Sequence, residues 1–228
     1  MVVLVFLFIV VIGYTIWFAV SMANADHPFC EGHTESEKKV INYLLNFSNC
    51  LKDLPFSPKE YDDLVKRSIP KEKVSMEYAM GACNLDESQI EEIKPIHLCG
   101  YYFDKGCYAK RSVGWQSSKY QHTWLFFTKD QLHMYQYVRD LAFTSGAESC
   151  QELFYKDITS FSITTESIDK ETTIGSGNFK RVLTQCVDAE IFKIVVPGDV
   201  LKCAMESSDE IKESVRAMNS LLRDKKNA

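Results

Sequence analysis

The first 25 residues constrain this chain more than any other stretch, because no charged side chain occurs before Asp26. Residues Val2 to Val20 are apolar almost throughout. About 18 or more apolar residues are enough to cross a bilayer as a helix, and a single segment in lipid has to be helical because its backbone groups find no other partners. We therefore expect Met1 to Ala25 to be a transmembrane anchor, followed by a body in water.

The same stretch has a second interpretation as a signal peptide. Ala23-Asn24-Ala25 has the pattern that signal peptidases cut, and cleavage after Ala25 would release a secreted protein. The length of the apolar run and the lack of a basic residue before it favour an uncleaved anchor. Lys38 and Lys39 follow the span, and the positive-inside tendency then places the body in the cytoplasm. Both interpretations stay open: a single-pass membrane protein with a cytoplasmic body, and a secreted protein.

The charge of the body limits the partners that it can take. All 26 basic and 31 acidic side chains follow the apolar stretch, so the body carries the whole net charge of −5. General nucleic-acid binding needs a basic face, and broad adhesion to anionic lipid needs the same. We therefore expect no nucleic-acid partner, while a local basic patch remains compatible with the composition.

Eight cysteines give a second indication of the compartment. An even number permits disulfides if the body is outside the cell, but these cysteines show no compact repeating spacing. Cys203 alternates with Leu201 and Met205, as a core residue of a strand would. We expect reduced core cysteines, in agreement with a cytoplasmic body. The glycosylation acceptor pattern at Asn46 has a meaning only if the body is extracellular.

A polar spacer over residues 26–33 precedes a helical subdomain over residues 34–95. Thr34-x-x-Glu37 is a capping box, and Ser57 followed by proline is a second helix start. The predicted helices begin at Thr34, Ser57, Glu72 and Asn84. Their apolar stripes predict a small helical bundle.

From residue 96 to residue 228 the pattern is that of β-strands followed by one helix. Two neighbouring strands are predicted at Thr123–Thr128 and Leu132–Val138. In the second, alternation puts Leu132, Met134 and Val138 on one face and His133, Tyr135 and Tyr137 on the other, which indicates a half-buried strand. We expect seven or eight strands in all. Ser207-x-x-Glu210 then caps an amphipathic C-terminal helix.

About seven antiparallel strands with a single terminal helix resemble the pleckstrin-homology-like superfold, including GRAM-type domains and bacterial membrane-anchored members. The resemblance covers Ile96 to Arg223, and Tyr155-Lys156-Asp157-Ile158 fits a strand of that family. The stretches that carry it are TWLFFTKDQLHMYQY, ELFYKDITSFSI, AEIFKIVV and SSDEIKESVRAMNSLL. It implies an α+β chain with a transmembrane helix, a helical bundle and an antiparallel barrel or sandwich of about seven strands capped by a helix.

The resemblance also implies a function: a non-enzymatic interaction or scaffold module that binds a protein or a lipid head group. Some members bind phosphoinositides through basic residues near the first hairpin, a region where this chain has Lys105, Lys110, Arg111 and Lys119. Lys110 and Arg111 are adjacent, whereas the family pattern spaces these basic residues apart, so the match fails in detail. Solvated surface charge is the alternative interpretation of these four residues.

Catalytic and metal-binding motifs are missing from the sequence. No nucleophile elbow, zinc-protease helix or phosphate-binding loop occurs. His97, Cys99 and Cys107 lack the paired close spacing of a structural zinc site. His122 and His133 have no obvious carboxylate partner in the pattern. We expect no enzymatic activity, no cofactor and no metal, with these side chains packed in strands.

Overall fold

The computed structural model describes residues 30–45, 55–90, 93–104, 106–174, 181–206 and 208–227, which contain four α-helices and nine β-strands. The helices are α1 (Glu35–Leu45), α2 (Pro58–Ser68), α3 (Met76–Ala82) and α4 (Asp209–Asn227). The strands are β1 (Ile96–Tyr102), β2 (Tyr108–Arg111), β3 (Gly114–Ser117), β4 (Lys119–Phe127), β5 (Gln131–Asp140), β6 (Ser145–Phe154), β7 (Ser160–Ile174), β8 (Arg181–Val196) and β9 (Asp199–Ala204).

These elements form layers around a four-stranded antiparallel sheet of order β1-β4-β5-β6. Phe126 and Tyr135 point from one face of this sheet into a core shared with α1, α2 and α3. Leu125 and Met134 point from the other face into a second core, which also contains side chains of the β7-β8-β9 sheet and of α4. The hairpin β2-β3 forms a separate two-stranded sheet. The central sheet is therefore covered on both faces.

Helix caps agree with the sequence at the first two helices. The Glu37 carboxylate accepts a hydrogen bond from the Thr34 backbone N–H (2.8 Å), and the capping box of Ser57 with Glu60 is complete. The third predicted helix differs, because a 3₁₀ turn at Glu72–Val74 precedes α3 and Ser75 caps α3 anew. The fourth is only a 3₁₀ turn at Glu87–Gln89.

The alternation predicted for β5 is confirmed, but the strand is not half-buried. Tyr135 is 1% exposed and Tyr137 is 5% exposed, although both lie on the face opposite Leu132 and Met134. The helical layer covers the tyrosine face, so these helices pack on the sheet instead of enclosing a bundle core of their own. The aromatic rings of Tyr135 and Tyr137 were the available signal in the sequence that another layer covers this face of the strand.

Tyrosine hydroxyl groups attach the helical layer to the strands. The Tyr61 hydroxyl donates to the Ser117 carbonyl (2.9 Å), and the Tyr43 hydroxyl donates to Gln116 Oε1 (2.6 Å). The Gln116 amide donates in turn to Asp62 Oδ1 (2.6 Å). Buried hydroxyl and amide groups are costly unless paired, so these bonds fix one arrangement of the layers.

The two larger sheets meet where β9 passes β1 and β4. The Glu206 backbone N–H donates to the Cys99 carbonyl (2.7 Å), which covers part of the outer edge of β1. The Gln121 side chain on β4 accepts from the Ala204 backbone N–H (2.6 Å). Backbone groups at this junction are therefore satisfied by the neighbouring sheet.

The predicted single barrel of about seven strands is wrong, because the described strands form three separate sheets of four, two and three strands. The Cys107–Trp115 run is a hairpin of two strands, and β8 continues through the predicted break at Asp188-Ala189. The predicted helical bundle is also replaced by a layer on the sheet. The proposed anchor, Met1–Ala25, lies outside the described residues. Among the helices that are described, none has both the length and the apolarity to span a bilayer.

A disulfide joins the helical layer to the sheet. It links Cys83, at the end of α3, to Cys150 in β6, with Cα atoms 5.7 Å apart. The expectation of reduced cysteines is wrong for this pair. Cys203 agrees with the expectation of a reduced core cysteine, because its thiol is not disulfide-bonded and is fully buried between strands. That burial raises the pKa of the thiol to about 12.

Candidate functional site

A cleft of about 500 Å³ lies where the end of β1 and the start of β2 meet the β7-β8-β9 sheet. Seven of its ten lining residues are aromatic or aliphatic, and the other three are charged. The lining residues are Tyr101, Tyr102, Phe103, Asp104, Tyr108, Glu166, Ile168, Ile191, Lys202 and Ala204. Ligand sites in proteins have this size and this combination of apolar walls with a few polar groups.

A small core of its own holds the cleft in place. Phe103 and Tyr108 flank the turn between β1 and β2, and their rings pack edge to face with centroids 5.7 Å apart. Both are buried against Val187, Ala189 and Ile191 of β8. Because β8 extends beyond the main core, its residues 187–191 pack on this aromatic pair, and Ile191 lines the cleft together with the two rings.

The charged residues of the cleft differ in their pairing. Glu166 of β7 accepts hydrogen bonds from Lys193 (2.7 Å) and Lys202 (2.8 Å), and these bonds lower the pKa of its carboxyl group. The Asp104 side chain is exposed and makes no hydrogen bond to another residue in the described part of the chain. Burial, with the nearby Asp104 charge adding to it, raises the pKa of Tyr102. Among the described residues, Asp104 is therefore the lining carboxylate that has no ion-pair partner, while Glu166 is shared by two lysines.

A second cluster of titratable groups lies on the sheet face under the helical layer. His97 Nε2 and His122 Nδ1 are 3.0 Å apart, and the two rings are nearly coplanar (17°) with centroids 5.1 Å apart. This geometry is an edge-to-edge hydrogen bond with one proton between two neutral rings. His97 also stacks on Trp124 (4.4 Å), whose indole N–H donates to the Val74 carbonyl (2.9 Å). The pair is thus part of the contact between the layers.

Burial determines the protonation of this pair. Burial, together with the neighbouring His97, lowers the pKa of His122 to about 4, and burial also lowers the pKa of His97. Nothing in the sequence pattern indicated that His122 pairs with another imidazole, His97. His133 does have a carboxylate nearby, since its Nδ1 lies 3.9 Å from Glu152 Oε1. Within the described ranges, no three His, Cys, Asp or Glu side chains are grouped so that they could hold a metal ion.

Four basic residues were singled out in the sequence, and the three that the structure describes do not line the cleft. The Arg111 guanidinium donates to the Tyr43 carbonyl and lies 4.7 Å from the centroid of the Tyr43 ring, so it connects β2 to α1. Lys119 Nζ donates to the Asp104 carbonyl (3.0 Å), and Lys110 is exposed on β2. Lys105 lies outside the described residues. A phosphate site at these positions stays a prediction.

The cleft itself was missed in the sequence, because its lining comes from five strands and the segment after β1. The one available signal was the aromatic run Tyr101-Tyr102-Phe103 directly before Asp104. A scan of protein-family models finds no match to this chain, and neither curated proteins nor solved structures give a significant match. Nothing in these comparisons identifies a pleckstrin-homology-like domain.

Proposed function

We propose that this chain is a non-enzymatic binding protein that takes a small, positively charged amphipathic ligand in the cleft. The observation that carries the proposal is the Asp104 carboxylate, which has no ion-pair partner among the described residues and lies beside Tyr101, Tyr102 and Phe103 in a cavity of about 500 Å³. Aromatic rings provide apolar contact area and attract cations, and a carboxylate adds a charge-assisted hydrogen bond. Lys193 (2.7 Å) and Lys202 (2.8 Å) both bind the Glu166 carboxylate, so Asp104 is the lining carboxylate that stays open to a cationic ligand among the described residues.

The composition of the lining supports binding instead of catalysis. Its described residues include no serine, cysteine or histidine that could act as a nucleophile with a neighbouring base. The tyrosine hydroxyl groups there have pKa values raised by burial, which keeps them protonated near neutral pH. Such hydroxyls can orient a ligand through hydrogen bonds.

The Cys83–Cys150 disulfide supports a body in an oxidising compartment. This favours the secreted interpretation, with cleavage after Ala25, or an anchor that leaves the body on the outer side of a membrane. Mass spectrometry of the mature chain distinguishes a secreted protein from an anchored one. In a cell that glycosylates exported proteins, we expect a glycan on Asn46 in both cases. Free thiols at both Cys83 and Cys150 in the isolated protein would contradict export.

A matched pair of probes tests the cleft. Phenethylamine and phenylacetate share a ring and differ in the sign of their charge, so titration calorimetry with both isolates the electrostatic preference. We expect phenethylamine to bind and phenylacetate to bind much more weakly. Asp104→Asn should weaken phenethylamine binding by about tenfold, the value of a charge-assisted hydrogen bond of about 1.5 kcal/mol.

Asp224→Asn is the matched control, because this exposed carboxylate lies on α4 and does not line the cleft. It should leave binding unchanged. Equal binding of the two probes, or an equal effect of the two substitutions, would contradict the proposed ligand class. Absence of binding by both probes at millimolar concentration would contradict the cleft as the site.

A further inference from the structure

Aromatic rings surround the Asp104 end of the cleft. Four of the ten lining residues carry a ring, namely Tyr101, Tyr102, Phe103 and Tyr108. The rings of Phe103 and Tyr108 lie almost at right angles (88°), and Tyr101 packs against the same small core. Burial raises the pKa of Tyr102, and the Asp104 charge adds to this, so these two side chains lie near each other. A ligand cation at Asp104 therefore meets ring surface as well as a carboxylate.

The wall formed by the β7-β8-β9 sheet is less favourable to a cation. One oxygen of the Glu166 carboxylate accepts from Lys193 (2.7 Å), and the other accepts from Lys202 (2.8 Å). Two ammonium groups and one carboxylate leave an excess of one positive charge on this wall, and like charges repel. The positive group of a ligand is therefore directed to the rings and to Asp104.

Hydrogen-bond acceptors around this end of the cleft are already in use. The Tyr102 carbonyl accepts from the Ser117 hydroxyl (2.7 Å). The Asp104 carbonyl accepts from Lys119 Nζ (3.0 Å). A primary ammonium group has three N–H donors, and a donor that leaves water without gaining a partner costs free energy. The Asp104 carboxylate alone cannot replace all the water that such a group loses.

A quaternary ammonium group avoids this cost, because it has no N–H donor and its charge is spread over methyl groups. Aromatic rings attract such cations, most strongly where water is excluded. We propose that the ligand of this cleft carries a trimethylammonium group, held by the aromatic rings and by the Asp104 carboxylate. This inference rests on the proposed function, and it specifies which class of cation the cleft selects.

A methylation series tests the preference in the unsubstituted chain. Phenethylamine and its monomethyl, dimethyl and trimethyl derivatives share one ring and are all cations at neutral pH, but they differ in the number of N–H donors. Titration calorimetry should show affinity rising along the series, with the trimethyl derivative about tenfold tighter than phenethylamine. Affinity that stays equal or falls along the series would overturn the inference.

Two substitutions of Tyr102 separate the attraction of the rings from simple apolar contact. Tyr102→Phe keeps the ring, so the preference for the trimethyl derivative over phenethylamine should persist. Tyr102→Leu keeps an apolar side chain without a ring, and the preference should fall by about two- to fivefold. Circular dichroism checks that both variants fold. A preference that is unchanged in Tyr102→Leu would show that the methyl groups gain apolar contact only, which contradicts recognition by the rings.

The same probes distinguish a failure of this inference from a failure of the proposed function. If phenethylamine binds and Asp104→Asn weakens it, but the trimethyl derivative binds no more tightly, the quaternary preference is refuted and the cationic ligand stands. If none of the cations in the series binds at millimolar concentration, both proposals are contradicted. Tighter binding of the trimethyl derivative that also depends on Asp104 supports both.

Discussion

At the scale of single residues, Gly100 shows how closely the two larger sheets approach. A Cβ atom at this position would lie 2.9 Å from the Met205 carbonyl carbon and 3.0 Å from its backbone nitrogen. These are backbone atoms of the segment that also donates a hydrogen bond from Glu206 to Cys99. The absence of a side chain at Gly100 is therefore a condition for the contact between β1 and the end of β9.

We predict that Gly100→Ala lowers the free energy of unfolding by about 1–3 kcal/mol, because the backbone around Met205 has to move away. Urea unfolding monitored by circular dichroism measures the loss. Gly81→Ala is the matched control: Gly81 lies in α3, and an alanine methyl group there would have no heavy atom of another segment within 4 Å. Alanine at this position should therefore stabilise the helix by about 0.5–1 kcal/mol. Equal effects of the two substitutions would contradict this account of the sheet contact.

The paired imidazoles of His97 and His122 lead to a second prediction at the residue scale, which concerns how the stability of the fold depends on pH. The folded-state pKa of His122 is about 4, below the ordinary value of 6.5, so the unfolded chain binds more protons between these two values. Stability should be full above pH 6.5 and fall as the pH decreases towards 4. The pKa values of His97 and His133 are also lowered by burial and act in the same direction.

Urea midpoints at about pH 5 and about pH 7 measure this dependence. We expect a loss of about 1 kcal/mol from His122 at about pH 5, allowing for its partial exposure. His122→Gln should flatten the profile between about pH 5 and pH 6.5, where carboxyl groups with lowered pKa values, such as Glu166, remain ionised. A slope that is unchanged in this variant would rule out the pair as its source.

At the scale of elements, the sequence predicted those parts that depend on local chemistry. The capping boxes at Thr34 and Ser57 mark real helix starts because each side chain satisfies free backbone donors nearby. The C-terminal helix and the alternation of β5 were likewise predictable from periodicity. Which element covers each face of a strand depends on residues distant in the sequence. The burial of Tyr135 and Tyr137 was therefore not predictable from local patterns.

Strands without an apolar pattern were the ones missed. Strand β6 is polar and exposed, so it gives no alternation signal, and only its ten pairs with β5 define it. Strand β8 continues through Asp188-Ala189 because its ladder with β7 continues there. The cleft was missed for a related reason, since Asp104 and Glu166 meet only through the arrangement of separate sheets.

At the scale of the whole molecule, the disulfide is the one covalent cross-link, besides the backbone itself, between the helical layer and the sheet among the described residues. It closes a loop with a sequence separation of 67 residues, which begins directly after α3, contains strands β1 to β5 and ends in β6. Closing a loop of this length restricts the unfolded chain, and the expected stabilisation is about 4 kcal/mol. The Trp124 indole N–H, which donates to the Val74 carbonyl (2.9 Å), and the Lys73–Glu148 ion pair (3.2 Å) connect the same two layers after the link is removed.

We predict that the double substitution Cys83→Ser with Cys150→Ser lowers the unfolding free energy by about 2–4 kcal/mol while the chain still folds. Urea unfolding with tryptophan fluorescence measures the loss, and the same loss should follow from adding a reductant to the unsubstituted chain. Cys186→Ser is the control, because Cys186 is exposed and not disulfide-bonded. A reductant that lowers the stability of the double variant as much as that of the unsubstituted chain would show that this link is not responsible. Stability that survives reduction would mean that noncovalent contacts alone hold the helical layer on the sheet.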